Sequence, residues 1–285
     1  MLIRLISSHI VALCLVSSSA LAIAASADQS SPDSKTDAAH AKRKSLGLEY
    51  SLIYSQSGDN NNKFKTLTNG FELTYDPTRN IELFVNLPVI YERRTEIKDS
   101  KIHTNLDVGD IDFGLRIQNL KIFNFSVAPS IKVKSNTGGS PYLSATSEDV
   151  SGDGLWAVEG ALKVSRDIGS KLSVFTGASH KYYFDRTVNG QQIDRENVDS
   201  IEIGSGYYIL DSLYASLSVE KTFVGRTATD GVITQERREP LDLTATATYF
   251  ITSDFSATPY ASIGLNKQAE DFSFGITLGY KFNLL

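Results

Sequence analysis

Hydrophobic and polar residues alternate along most of this chain, and the alternation is sharpest near its end. From Asp271 the sequence reads DFSFGITLGYKFNL. Phe272, Phe274, Ile276, Leu278, Tyr280, Phe282 and Leu284 fall on one side of an extended strand, and Asp271, Ser273, Gly275, Thr277, Gly279, Lys281 and Asn283 on the other. A half-buried soluble sheet alternates in the same way. Here the apolar side is rich in aromatic rings at both ends of the strand. That is the placement expected where a strand crosses a bilayer with its rings at headgroup level.

The same pattern recurs from Leu46 onward. It predicts about twelve strands of roughly 10 to 14 residues, the scale of membrane-spanning barrel strands. They begin near Leu46, Leu67, Ile81, Leu106, Asn124, Gly154, Leu172, Val198, Leu213, Glu239, Phe255 and Asp271. The connections between them alternate in length. Short ones lie at Asp76–Asn80, Leu120–Phe123, Asp167–Lys171, Asp211–Ser212 and Ser253–Asp254, where Asp, Pro, Asn, Gly and Ser supply turn chemistry. Longer polar ones lie at 58–66, 93–105, 136–153, 185–197 and 226–238, with a shorter one at 266–270. Strict short–long alternation favours an antiparallel up-and-down transmembrane β-barrel over a soluble sandwich or solenoid. The even strand number places both ends of the barrel on the side of the short turns, in the periplasm.

Each strand can then be given a lipid side and a lumen side. Outward aromatics fall into two predicted bands: Tyr54, Tyr91, Tyr182, Phe184, Phe223 and Phe272 toward the loops, and Tyr75, Phe125, Tyr207, Tyr249, Phe255, Tyr280 and Phe282 toward the turns. Pro88 and Pro129 fall inside strands. Each removes a ladder donor and should mark a bulge or a weakened pairing.

The N-terminus changes the picture by placing the chain in an export pathway. Residues 1–27 read as a signal peptide, with Arg4 as the positive end, an apolar centre from Ile10 to Val16, and Ala25-Ser26-Ala27 as the cleavage site. A transmembrane anchor would need a longer unbroken apolar run. Residues 28–45 are polar and read as a flexible periplasmic leader, so the barrel is expected over 46–285. No later stretch is long and apolar enough for a membrane helix. A barrel is then the only fold that satisfies its backbone hydrogen bonds in lipid.

Cys14 is the single cysteine, so a processed chain has no thiol chemistry and no disulfide. The net charge of -5 becomes -5 - 1 = -6 once Arg4 is lost. A mildly acidic chain without basic clusters argues against nucleic acid as a partner.

Candidate chemistry therefore lies on the lumen side. The inward acids are Glu49, Glu72, Glu82, Asp110, Asp112, Glu159, Glu202, Glu220 and Asp242. The bases facing them are Arg116, Lys132, Lys134, Lys163 and Lys281. Facing lipid at midplane, a Lys or Arg would cost ~2–4 kcal/mol, so interior placement follows from physics. Asp110, Asp112 and Arg116 are expected near Lys132, Lys134, Glu159 and Lys163. Such a set either lines a solute path with a transverse field or fills a narrow lumen with salt bridges.

An enzyme needs a nucleophile and a base, and the sequence marks neither. His40 is in the leader, His103 in a long connection, and His180 faces outward near the rim without a marked acidic partner. Asp149, Ser151 and Asp153 have the spacing of half a calcium loop but lack the closing glutamate. No metal site or cofactor is predicted.

Three stretches carry a family resemblance. Asn80-Ile81-Glu82-Leu83-Phe84-Val85-Asn86-Leu87-Pro88, Val108-Gly109-Asp110-Ile111-Asp112-Phe113-Gly114-Leu115-Arg116 and Ser130-Ile131-Lys132-Val133-Lys134-Ser135-Asn136-Thr137-Gly138 resemble the outer-membrane barrel family associated with the meta-pathway of phenol degradation. Its members show a strand ending in Leu-Pro, a Gly-Asp opening the next strand and a Pro-Thr-Gly after the following one. The resemblance spans roughly residues 67–185. This chain has Ser135-Asn136-Thr137-Gly138 without the proline and runs past Phe282 to Leu285.

The resemblance implies a channel or transporter for small, often aromatic or apolar, solutes. The expected protein is thus a bacterial outer-membrane channel, its partners the lipid bilayer, lipopolysaccharide, the assembly machinery and a small solute. Two alternatives stand beside it: a non-conducting structural or surface-interaction barrel, and a lipid-acting barrel enzyme.

Overall fold

The computed structural model describes residues 44–58, 62–96, 101–118, 120–138, 154–188 and 190–284. The signal peptide, residues 28–43 of the leader and the Asp149/Ser151/Asp153 loop lie outside the described residues. In chain order the strands are β1 (Ser45–Gly58), β2 (Asn62–Thr78), β3 (Ile81–Glu96), β4 (Lys101–Val108), β5 (Asp112–Ile117), β6 (Leu120–Ile122), β7 (Phe125–Lys134), β8 (Ala157–Ile168), β9 (Leu172–Tyr183), β10 (Arg186–Val188), β11 (Gln191–Arg195), β12 (Val198–Leu210), β13 (Leu213–Val224), β14 (Thr227–Thr229), β15 (Val232–Gln235), β16 (Leu241–Phe250), β17 (Phe255–Gly264) and β18 (Phe272–Asn283).

Every described strand pair is antiparallel. β1 pairs with both β2 and β18, which closes the sheet into a barrel. β4, β5 and β6 are collinear pieces of one wall strand. The 14-stranded sheet is therefore a barrel of 14 - 2 = 12 strands. Closure leaves no open edge, so the ladder satisfies the backbone in lipid. The start of β1 and the end of β18 meet at Ser45 and Asn283, on the rim of the short turns.

Two of those turns use a threonine hydroxyl in place of a backbone partner. Thr78 Oγ1 accepts the Ile81 N–H at 3.1 Å, and Thr252 Oγ1 accepts the Phe255 N–H at 3.0 Å.

The prolines explain the broken fourth wall strand. Opposite Pro88, pairing passes from Asn86–Asp112 on β5 to Val89–Val108 on β4, and Gly109 donates instead to the Pro88 carbonyl at 2.8 Å. Opposite Pro129, pairing of β7 passes from Ser130–Arg116 on β5 to Val127–Leu120 on β6, one residue out of step. A proline on each flank denies this strand a donor, and the strand bulges at both places.

Two expectations are corrected. β2 and β4 begin at Asn62 and Lys101, earlier than Leu67 and Leu106, because polar hairpins keep their ladder beyond the apolar belt. The connections around 185–197 and 226–238 are not irregular loops. They form a four-stranded sheet, β10-β11-β14-β15. Its central pair continues the β12–β13 ladder through Gly225 N–H to Asn197 O (3.1 Å) and Glu196 N–H to Arg226 O (2.8 Å).

Outside the barrel the two aromatic bands are in place. Tyr54 contacts Phe272 and Phe274, and Tyr182 contacts Phe184, on the loop side. Phe255 contacts Tyr280, and Tyr280 contacts Phe282, on the turn side. Among the described residues no helix is long and apolar enough to cross a membrane.

Candidate functional site

The lumen face is set by the period of two, so each wall strand contributes every second residue. Twelve of the thirteen predicted lining residues lie on wall strands and share one face of the sheet by register, Asp110 lies in the break between β4 and β5, and the antiparallel register decides which of them meet. Arg116 on β5 turns toward β2 and β3. It bonds Glu72 at 2.8 Å and Glu82 at 2.7 Å, stacks on the Phe84 ring at 4.0 Å, and shares Glu82 with Gln118. Glu49 stands opposite Glu72 at the edge of this group.

A second group spans β5 to β9, where Lys132, Glu159 and Lys181 are directly opposite one another. Glu159 receives both amines at 3.0 Å, and Lys132 reaches Asp112 at 4.0 Å. Lys181 belongs to this set and was missed in the sequence, although the alternation through Tyr182 marks it as inward.

Asp110 and Lys134 form a third group at the outer rim of the wall. The Asp110 carboxylate takes Lys134 at 3.2 Å and the Gly138 N–H at 2.9 Å, and the Ile111 N–H donates to Thr137 Oγ1 at 3.0 Å. A Cβ at Gly138 would press on the Gly109–Asp110 backbone. The Gly-Asp stretch and the Thr-Gly stretch noted in the sequence are therefore two halves of one buried joint.

Two predicted contacts do not form among the described residues. Arg116 meets neither Asp110 nor Asp112. Lys163 forms no ion pair within 4 Å among the described residues, and its amine lies over the Phe175 ring at 4.4 Å.

The opposite stretch of wall is built differently. Glu202 on β12, Glu220 on β13 and Asp242 on β16 are directly opposite one another. None of the three has an ion pair with a described base. Like charges in facing register are destabilising. Glu270, in the connection between β17 and β18, extends this acidic run. Burial pushes its carboxyl up to about 8, with Asp242 and Asp271 adding to the rise. No group of three or more described His, Cys, Asp or Glu residues is arranged to hold a metal ion.

At the outer mouth the inward ends of four wall strands meet the external segments. Ala157, Tyr183, Val198 and Val224 pack with Leu155 and Ile193, both fully buried. The Arg195 guanidinium lies over Tyr183 at 4.2 Å. Outside this cluster Glu196 joins the two hairpins, receiving Arg226 at 2.6 Å and Arg237 at 3.0 Å. Hydrogen bonds from Arg237 and Arg226 hold its carboxyl down at about 2.

Lys281, expected inward, sits at the turn rim and bonds Asp76 at 2.7 Å. His180 faces outward as expected, but it does have an acidic partner: its Nδ1 is 2.7 Å from Asp199 Oδ1. The serines beside this pair, Ser179 and Ser200, turn into the lumen and bond each other at 2.9 Å. A hydrolytic triad would need a nucleophile hydrogen-bonded to this pair, and these two serines bond each other instead.

No family model matches the chain. Three of the solved structures that share its fold illustrate the likeness. The COG4313 outer membrane channel from Pseudomonas putida F1 aligns with a TM-score of 0.68 at 16% identity, covering 85% of this chain and 96% of that one. The transport unit of the autotransporter AIDA-I from Escherichia coli gives 0.51 at 8% identity, over 93% and 96%. The NanC porin gives 0.50 at 11% identity, over 84% and 100%. At these identities the likeness is one of fold: an outer-membrane β-barrel.

Proposed function

We propose that this protein is a bacterial outer-membrane channel for small solutes, and that its path favours cations. Lipid and lipopolysaccharide cover its outer belt. The observation that carries the reading is the row of facing acids Glu202–Glu220–Asp242, without an ion pair among the described residues, on the inner wall of a closed barrel. Rows of acidic side chains are a means of cation selection in pores. Of the bases of the inner wall, Arg116, Lys132, Lys134 and Lys181 are held by acids of their own, and Lys163, which faces Glu202 across Gly177, offsets the row only at its β12 end. The fold shared with a COG4313 outer membrane channel supports the channel role, and the resemblance to the phenol meta-pathway family supports a small, often aromatic or apolar, solute.

Ion preference tests the reading. The refolded protein in a planar bilayer should conduct in discrete steps with a cation-selective reversal potential. The combined variant Glu202→Gln, Glu220→Gln, Asp242→Asn should lose that selectivity and keep its conductance steps. A folded wild-type protein without conductance would refute the channel. The apolar cluster of Leu155, Ile193 and Tyr183 at the mouth favours a second reading, a non-conducting barrel whose external sheet makes surface contacts. That reading predicts a silent bilayer.

A further inference from the structure

The lumen contains large rings as well as charges, and they are seated in one repeated way. Phe84 on β3 stands directly opposite Gly114 on β5, Phe175 on β9 opposite Gly204 on β12, and Tyr260 on β17 opposite Gly275 on β18. Tyr214 on β13 lies diagonally against Gly206 on β12. In each case a Cβ built on the glycine would collide with the facing ring. All eight side-chain positions face the lumen.

The rings therefore lie flat along the wall, over a neighbouring strand that has given up its side chain, and do not project across the barrel. Glycine weakens a strand interior, so its use at these positions needs a reason such as close approach. A contrast within the same strands supplies one. Gly177 also faces the lumen, and a Cβ there would meet only ordinary contacts beginning at 3.7 Å. It lies between Lys163 and Glu202, where no ring is seated.

The β12 pair is the most telling. At Gly206 the three nearest atoms are all in the Tyr214 side chain. At Gly204 the first two are ring atoms of Phe175. Phe175 and Tyr214 are each 5% exposed and pack with Tyr208 and Phe250 near the turn end of the barrel. Tyr214 is fixed there by a 2.8 Å hydrogen bond between its hydroxyl and Ser173. Such buried faces are not open to a ligand, so these rings shape the path and do not bind what moves through it.

We infer that the glycine–ring seats set the bore of the lumen, with Gly206/Tyr214 and Gly204/Phe175 gauging its periplasmic half. This rests on the channel reading. A methyl group at Gly206 forces the Tyr214 ring off the wall and into the path.

The test is a set of three variants in the full chain with Cys14→Ser: Gly206→Ala, Gly206→Ala combined with Tyr214→Ser, and Gly177→Ala as an inward control. Folding of each is checked by its heat-dependent gel shift. Gly206→Ala should roughly halve the unitary conductance, and the Tyr214→Ser double variant should restore or exceed the wild-type value, as expected when pore diameter limits flow. Gly177→Ala should conduct as wild type. Folded Gly206→Ala with unchanged conductance would overturn the inference.

A second readout does not depend on conduction. A single cysteine at the half-buried inward position Thr244, which faces Ser218 on the ladder from Gly204, is labelled with a small charged methanethiosulfonate. Labelling should be slower with Gly206→Ala than with Gly177→Ala, and equal rates would overturn the inference. A silent wild-type bilayer alongside slowed labelling would refute the channel reading alone.

Discussion

Two stretches of the inner wall use the same geometry with opposite charge logic. On β7, β8 and β9 the facing residues are Lys132, Glu159 and Lys181, so each charge meets its complement across the ladder. On β12, β13 and β16 the facing residues are Glu202, Glu220 and Asp242, so each charge meets its like. The first arrangement holds a wall together and presents little net field to the lumen. The second costs stability and leaves a field in the path. A barrel selected for rigidity alone would alternate throughout. The acidic row marks where stability has yielded to another requirement.

The largest effect expected from breaking this contrast is on the alternating row. Glu159→Gln leaves Lys132 and Lys181 facing each other across a neutral residue, and it should cost about 3 kcal/mol, as removal of one partner from a buried pair does. Urea unfolding of the reconstituted barrel measures it. On the acidic row the sign reverses. Neutralising Glu202, Glu220 and Asp242 together should leave stability unchanged or raise it by about 1 kcal/mol, because facing like charges are relieved.

Glu270 sharpens the comparison through pH. Its folded pKa of about 8 lies above the ordinary 4.5. A carboxyl raised in this way contributes stability that is fully present below about 4.5 and is lost as pH rises through about 8. Heat stability should therefore fall between pH 5 and pH 9, and Glu270→Gln should flatten that part of the profile.

The smallest effect is at Glu196, which is fully outside the membrane. Its carboxyl, held at about 2, keeps the Arg226 and Arg237 contacts down to strongly acid pH. A depressed carboxyl contributes stability above its ordinary value and loses it as pH falls through about 2. Glu196→Gln should leave the barrel's unfolding midpoint in place and speed proteolysis of the β10–β11 and β14–β15 hairpins, read by mass of the fragments. An unchanged cleavage rate would show that the clamp does not hold the external sheet.

Much of the architecture is legible in the sequence because a period of two needs no tertiary information. The start points of β3, β9, β12, β13 and β17 are read directly from Ile81, Leu172, Val198, Leu213 and Phe255. The inward assignment of Glu159, Glu202 and Asp242 follows from the same alternation. Register is where legibility ends. Nothing local to Arg116 says that it turns back to Glu72 and Glu82 and away from Asp112. Nothing around Lys163 says that its amine lies over the Phe175 ring with no ion pair among the described residues.

The two prolines could be read as sites of weakened pairing. That both act on the same neighbouring strand depends on which strands flank it. The ring-on-glycine seats were invisible for the same reason: Gly204 and Phe175 are far apart in sequence and meet only through the β9–β12 register. The external sheet was missed because its strands are short and polar and lie beyond the belt whose alternation betrays the others.

The measurement that tests the central claim most directly is the reversal potential of single channels under a salt gradient, taken for the wild-type protein and for the Glu202→Gln, Glu220→Gln, Asp242→Asn variant. A cation-selective potential that collapses toward zero in the variant is the predicted result. Equal potentials in the two proteins, with both folded and conducting, would contradict it and show that the acidic row does not face the path.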